Sequence, residues 1–146
     1  MTRAWFDPTA VADWSTPTAP KSHPPCDRLV VAFELNQRPH PKGRPRFGKT
    51  HAYTDPKTRL YENDIRKACA EAMCETEPAT GDVVLWCAFE YKGARVADTD
   101  NLTKAVSDAI EKVAFLNDRQ VVEIRARRVT RADVDRVSVA VLRVAS

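Results

Sequence analysis

No stretch of this chain approaches the roughly 18 consecutive apolar residues of a membrane-crossing helix. A transmembrane helix is therefore not expected. The first residues, Met1-Thr2-Arg3-Ala4-Trp5, lack the apolar core of a secretion signal, so a cytoplasmic protein is the expectation. Cysteine occurs four times, at Cys26, Cys69, Cys74 and Cys87. None forms a Cys-x-x-Cys pair and no His stands at zinc-ligand spacing, which excludes the common structural zinc sites. Cys69 and Cys87 sit in apolar stretches and read as small core residues with reduced thiols. There is no internal repeat. Charge of one sign is also scarce: the net charge is +3, too little to announce a nucleic-acid partner by itself.

What is present fits one soluble domain. The 146 residues are 43% hydrophobic and 29% charged, an ordinary globular balance with enough chain for a single core. The basic residues are unevenly placed. Lys42, Arg44, Arg46 and Lys49 cluster early, and Arg119, Arg125, Arg127, Arg128 and Arg131 cluster late. Two such patches suit a surface that follows phosphates. Ordinary solvated faces explain them equally well, and composition alone favours that simpler reading.

Residues 1–27 are punctuated by Pro8, Pro17, Pro20, Pro24 and Pro25 and read as a poorly ordered tail. Trp5 and Trp14 in it suit docking onto the domain or onto a partner. The domain is expected over 28–146. Leu29-Val30-Val31-Ala32-Phe33-Glu34-Leu35 reads as a strand. Pro39, Pro41, Gly43 and Pro45 impose a loop. Asp55 and Pro56 are expected to cap and open a helix whose apolar side is Tyr61, Ile65, Ala68, Cys69 and Ala72. Val83 to Phe89 is apolar on both alternating faces, as in a covered central strand. Leu102, Ala105, Val106, Ala109, Ile110 and Val113 place a second helix from about Asn101. Val122, Ile124 and Ala126 alternate with Glu123, Arg125 and Arg127, predicting a strand whose charged face is wet. Val137, Val139 and Val141 give a last strand. The order β-α-β-α-β-β predicts a small α/β (α+β) domain, a mixed sheet of about four strands with two main helices packed on it.

Chemistry concentrates at Asp98-Thr99-Asp100-Asn101-Leu102-Thr103-Lys104. If the link before the helix is extended, Asp98 and Asp100 point to one side, a hard-oxygen pair suited to Mg²⁺. Asp118 joins them if the strand after it pairs beside the strand that ends near Tyr91. Lys104 lies four residues after Asp100, on the same helix face, placed to stabilise charge on a reacting phosphate. The same residues have a plainer reading: Asp100 as a helix cap, Lys104 as its surface partner, Asp118 as a turn residue.

The run Asp98-x-Asp100-Asn101-Leu102-x-Lys104-Ala105-x-x-Asp108-Ala109, followed by Asn117-Asp118-x-Gln120-Val121, resembles the signature of the RusA-type Holliday junction resolvases. Pro41-Lys42-Gly43-Arg44-Pro45-Arg46-Phe47 and Tyr53-Thr54-Asp55-Pro56-Lys57-Thr58 resemble the earlier half of that family. The resemblance implies a Mg²⁺-dependent endodeoxyribonuclease, with Mn²⁺ as a possible substitute. It implies action on four-way or branched DNA by paired nicks in recombination and repair, in a bacterial or phage-infected cell. Asp98, Asp100 and Asp118 would be the metal-binding catalytic acids and Lys104 the catalytic lysine. Lys42, Arg44 and Arg46 would contact DNA, and Asp108 would fix Lys104. A homodimer is implied as well. The chain departs from the pattern at Asn117, where family members often carry Asp. That keeps open an alternative, a branched-DNA-binding protein of the same fold with little or no cleavage.

Overall fold

The computed structural model describes residues 26–43, 46–48, 51–53 and 55–144. The tail with Trp5 and Trp14 lies outside them, as does Arg44; of Arg46 only the backbone is described. The elements are β1 (Cys26–Leu35), β2 (Arg46–Phe47), β3 (Ala52–Tyr53), α1 (Pro56–Met73), β4 (Val83–Glu90), α2 (Thr99–Ile110), β5 (Val121–Val129) and β6 (Arg136–Val144), with a 3₁₀ turn at Asp118–Gln120 before β5. Four strands form a mixed sheet in the order β1-β6-β4-β5. β6 runs antiparallel to β1 and β4, while β5 runs parallel to β4. The expected α+β domain with two helices is what the chain builds. The short β2–β3 hairpin is an addition, falling within and just after the stretch read as loop.

The core lies between the sheet and the helices. Val83, Leu85, Cys87 and Phe89 of β4 meet Ile65 and Cys69 of α1 and Leu102, Ala105, Val106 and Ala109 of α2. The opposite pleat of β4, with Val84, Trp86 and Ala88, is buried against Ala140 and Leu142. β4 is therefore covered on both faces, as its unbroken apolar run requires. Burial pushes the Cys69 thiol up to about 12 and moves Cys87 the same way. Neither is a nucleophile at neutral pH.

Three local expectations are corrected. Asp55 stands at the α1 cap position without a side-chain cap hydrogen bond, so Pro56 alone marks that start. α2 begins at Thr99, and Asp98, not Asp100, holds its extended cap position. Asp100 is already in the first turn, so the two carboxylates are not placed by strand alternation. In β5 the wet and dry faces are exchanged. Val122 and Ile124 are 49% and 52% exposed, whereas the side chains of Glu123 and Arg125 are only 15% and 17% exposed. β5 is an edge strand, and its Ile124 faces a groove beside α2 that no helix fills. Arg125 turns to the other face, where it pairs with Glu123 at 2.9 Å and lies 5.7 Å over the Trp86 ring.

Candidate active site

β4, α2 and β5 form a crossover unit in which the helix runs back along the strands it connects. The pairing of β5 beside β4, on which the return of Asp118 depended, is present. Between α2 and β5 runs an open groove of about 530 Å³. Asp100, Thr103, Lys104 and Ser107 line its helix wall, and Asp118, Val121, Ile124 and Ala126 line the other. Carboxylates and an ammonium thus stand over an apolar floor. That floor is the exchanged face of β5.

The two acidic groups stand at opposite ends. Asp98 and Asp100 are at the start of α2, where their charge meets the positive end of the helix dipole. The backbone there is tied on three sides. Leu102 donates to the Asp98 carbonyl at 3.0 Å, Lys42 donates its N–H to the Asn101 carbonyl at 3.1 Å, and the Arg128 guanidinium donates to the Ala97 carbonyl at 2.7 Å. Asp118 lies beyond the far end of α2. Twelve helical residues span about 18 Å at the usual rise. One chain therefore does not bring all three carboxylates together. Among the described residues, no group of three or more His, Cys, Asp or Glu side chains is gathered to hold a metal ion.

Asp118 is positioned by its neighbours. The Asn117 Oδ1 accepts the Arg119 N–H at 2.9 Å, so this oxygen serves as a cap. Gln120 uses its whole amide. Its Oε1 accepts the N–H groups of Leu116 and Asn117 at 2.8 and 2.9 Å, and its Nε2 donates to the carbonyls of Ala79 and Gly81, both at 2.8 Å. That clamp pins the turn carrying Asp118 to the segment before β4. The sequence offered Gln120 only as a motif letter. Replacing Gln120 with Ala is expected to lower unfolding stability by about 2–4 kcal/mol, as several bonds are lost at once. Gln120→Glu cannot donate to the two carbonyls and is expected to lose a comparable amount, measured by urea unfolding. Wild-type stability in both variants would show that the clamp is idle.

Lys104 and Lys42 share one acid. Lys104 Nζ lies 3.1 Å from Asp108, one turn on, and Lys42 Nζ lies 3.3 Å from the same carboxylate and 2.6 Å from Glu62 of α1. Asp108 is thus the ion-pair partner of Lys104. Burial works against the charge on Lys42, but hydrogen bonds and attraction from Glu62 and then Asp108 outweigh it, so its pKa is raised above the ordinary lysine value. Lys42, a DNA-contacting candidate by resemblance, ties the loop after β1 to both helices. Glu62 had no sequence signal, because its partner lies in a distant loop.

The donor chemistry suits a hard divalent cation. No described cation forms a salt bridge with Asp98, Asp100 or Asp118, in contrast to Asp108 and Glu62. Carboxylate oxygens are the usual ligands of Mg²⁺. No described helix is long and apolar enough to cross a membrane.

Helices on a mixed sheet, with a groove that carries acids at both ends and a lysine between, define a small α+β domain. The family model for Endodeoxyribonuclease RusA matches residues 36–142, and the chain belongs to that family. Membership makes it, in general terms, an endonuclease of the kind that resolves Holliday junctions, and the family acts on branched DNA. A search among curated proteins finds no match.

Proposed function

We propose that the protein is a Mg²⁺-dependent endodeoxyribonuclease that resolves four-way DNA by paired symmetric nicks, in recombination and repair, and that it works as a homodimer. Mn²⁺ is the expected substitute ion. The observation that carries this reading is the groove itself, with uncommitted carboxylates at its two ends over an exposed apolar floor. A two-fold axis across such a groove exchanges its ends. It would bring Asp118 of the partner subunit to Asp98 and Asp100 and cover Ile124. Each dimer then has two equivalent sites, matching the approximate two-fold symmetry of a four-way junction.

In this arrangement Asp98 and Asp100, with Asp118 of the partner subunit, would hold the ion. When bound, it supplies positive charge against the phosphate and acidifies a water to serve as nucleophile. Lys104, braced by Asp108, would offset negative charge on the reacting phosphate. Lys42 and Glu62 would position Asp108, and Asn117 and Gln120 would position Asp118. Lys42, Arg44 and Arg46 are the DNA-contacting candidates by family resemblance. The products would carry 5′-phosphate and 3′-hydroxyl ends.

The second reading, a branched-DNA-binding protein with little or no cleavage, draws on the lack of a gathered metal group among the described residues of one chain. One assay separates them. Incubating the full-length protein with a labelled four-way junction should give symmetric nicks with Mg²⁺ and none with EDTA. Binding without nicks across a range of Mg²⁺ and Mn²⁺ would establish the second reading.

A further inference from the structure

A cleft of about 620 Å³ opens beside the start of α2, and the catalytic scheme above leaves it unused. The loop after β1, the first turns of α1 and the segment after β4 enclose it. Its floor includes Tyr91, only 1% exposed. The Tyr91 hydroxyl donates to the Pro39 carbonyl at 3.2 Å and accepts the Ala97 N–H at 3.4 Å, so the ring cannot turn away. The Arg38 guanidinium lies over that ring, 5.0 Å from its centroid, and donates to the Arg95 carbonyl at 3.1 Å. A flat cation is thereby held against an aromatic face with an edge tied down. Beside it on the lining stands Leu60, a large apolar side chain left 65% exposed. Lys57 and Arg95 add positive charge to the same lining, and Asp64 is its acid.

This combination discriminates between ligand types. A site for phosphate alone needs donors that converge, yet Arg38 spends a donor on a backbone carbonyl. What it offers is its plane, and bases stack on guanidinium planes as they do on aromatic rings. The exposed leucine suits the edge of a base, and the surrounding cations suit the phosphates attached to it. The volume is within the ordinary range for a small-ligand pocket. Position narrows the choice further. Ala97 lines this cleft and Thr99 lines the groove between α2 and β5, with Asp98 between them. Residues two apart are separated by at most about 7 Å, so the cleft and the proposed metal-binding acids are neighbours.

We infer that this cleft takes one unstacked nucleobase from the junction, adjacent to the cleaved linkage, and lays it on the Arg38 guanidinium. The inference rests on the branched-DNA reading above. Extrusion costs least where stacking is already broken, which is the condition at the centre of a four-way junction in its open form. Arg38 is thus a specificity-determining residue, setting which linkage at the crossover reaches the acids.

The test uses the full-length protein, EDTA, and labelled junctions in which single crossover nucleotides are replaced by abasic ones. Wild type should lose roughly tenfold in affinity at one abasic position, in the lower part of the range that stacking one base delivers. Arg38→Lys keeps the charge and loses the plane. It should bind the intact junction about tenfold more weakly and lose nothing further at that abasic position. Leu60→Ala, at an exposed site, should show a smaller loss that also disappears there. The inference is overturned if no abasic position matters, if Arg38→Lys binds the intact junction as wild type does, or if the losses multiply. Cleavage of the intact junction with Mg²⁺ is scored separately. Abasic coupling without nicking would sink the nuclease reading and keep the cleft, and nicking without coupling would do the reverse.

Discussion

Asp100→Asn and Asp118→Asn proteins, each inactive alone, are expected to nick four-way junctions when the two are co-expressed. Alone, each should lose at least about a hundredfold in cleavage, the scale on which removing one preorganised charge-stabilising group is felt. Junction binding should persist, and in EDTA it should tighten slightly, because a carboxylate that repels phosphate has gone. In a mixed dimer the two lesions fall together into one of the two composite sites. The other site then combines intact Asp98 and Asp100 from one subunit with intact Asp118 of the partner subunit. Random pairing makes half of the dimers mixed, each with one working site, so nicking should recover to about a quarter of wild type under two-fold symmetry. The products should be singly nicked junctions and not resolved duplexes. No recovery would show that the acids do not combine between subunits. Their separation along α2 would then need a movement within one chain, and the proposed dimeric site would fall.

Ile124→Glu is expected to abolish junction cleavage by a different route, leaving the fold intact and the dimer broken. Ile124 is 52% exposed in the single chain, so a charge there is hydrated and costs the monomer little. Its register partner Leu85 is fully buried, and Leu85→Ala should cost about 2–5 kcal/mol through the cavity left behind. Placed in a two-fold contact, the introduced carboxylate would meet its symmetry mate or its apolar surroundings without a counter-charge. Sedimentation should report a monomer, circular dichroism a folded protein, and the nuclease assay a loss as large as that of the aspartate variants. A variant that remains dimeric and active would remove the α2–β5 groove from the interface.

The readable parts of the sequence were those governed by one repeating pattern. Leu102, Ala105, Val106, Ala109 and Ile110 share one face at helical spacing, and all five are buried. The continuous apolar run of β4 implied cover on both sides, which it has. Alternation in β5 was read correctly as a strand but oriented wrongly. Alternation fixes only that two faces differ, and the partners of each face come from distant elements, here Trp86 and α2. The helix start was missed by two residues because Thr99 and Asp100 are weak helix formers and tertiary contacts decide. Those contacts are Lys42 to Asn101 and Arg128 to Ala97. Asp98, Asp100, Lys104 and Asp118 were nameable from the motif, but their spatial separation was not. Spacing along the chain does not reveal that a crossover helix places its two ends far apart. Arg38 was unreadable as an agent because its bonds reach across the fold, and of Gln120 only the local bonds to Leu116 and Asn117 follow from spacing, whereas those to Ala79 and Gly81 do not.

The arginines and lysines of the two basic patches are partly spoken for inside the molecule. Lys42 is held by Glu62 and Asp108, Arg125 by Glu123 and the Trp86 ring, and Arg128 by the Ala97 carbonyl. Each side chain so employed displaces fewer counterions from a nucleic-acid backbone. Affinity should therefore decline more gently with added salt than a tally of basic residues implies, at about 0.9 logarithmic units per phosphate neutralised. Grip on DNA then depends less on bulk charge, and shape at the branch point carries more of the selection.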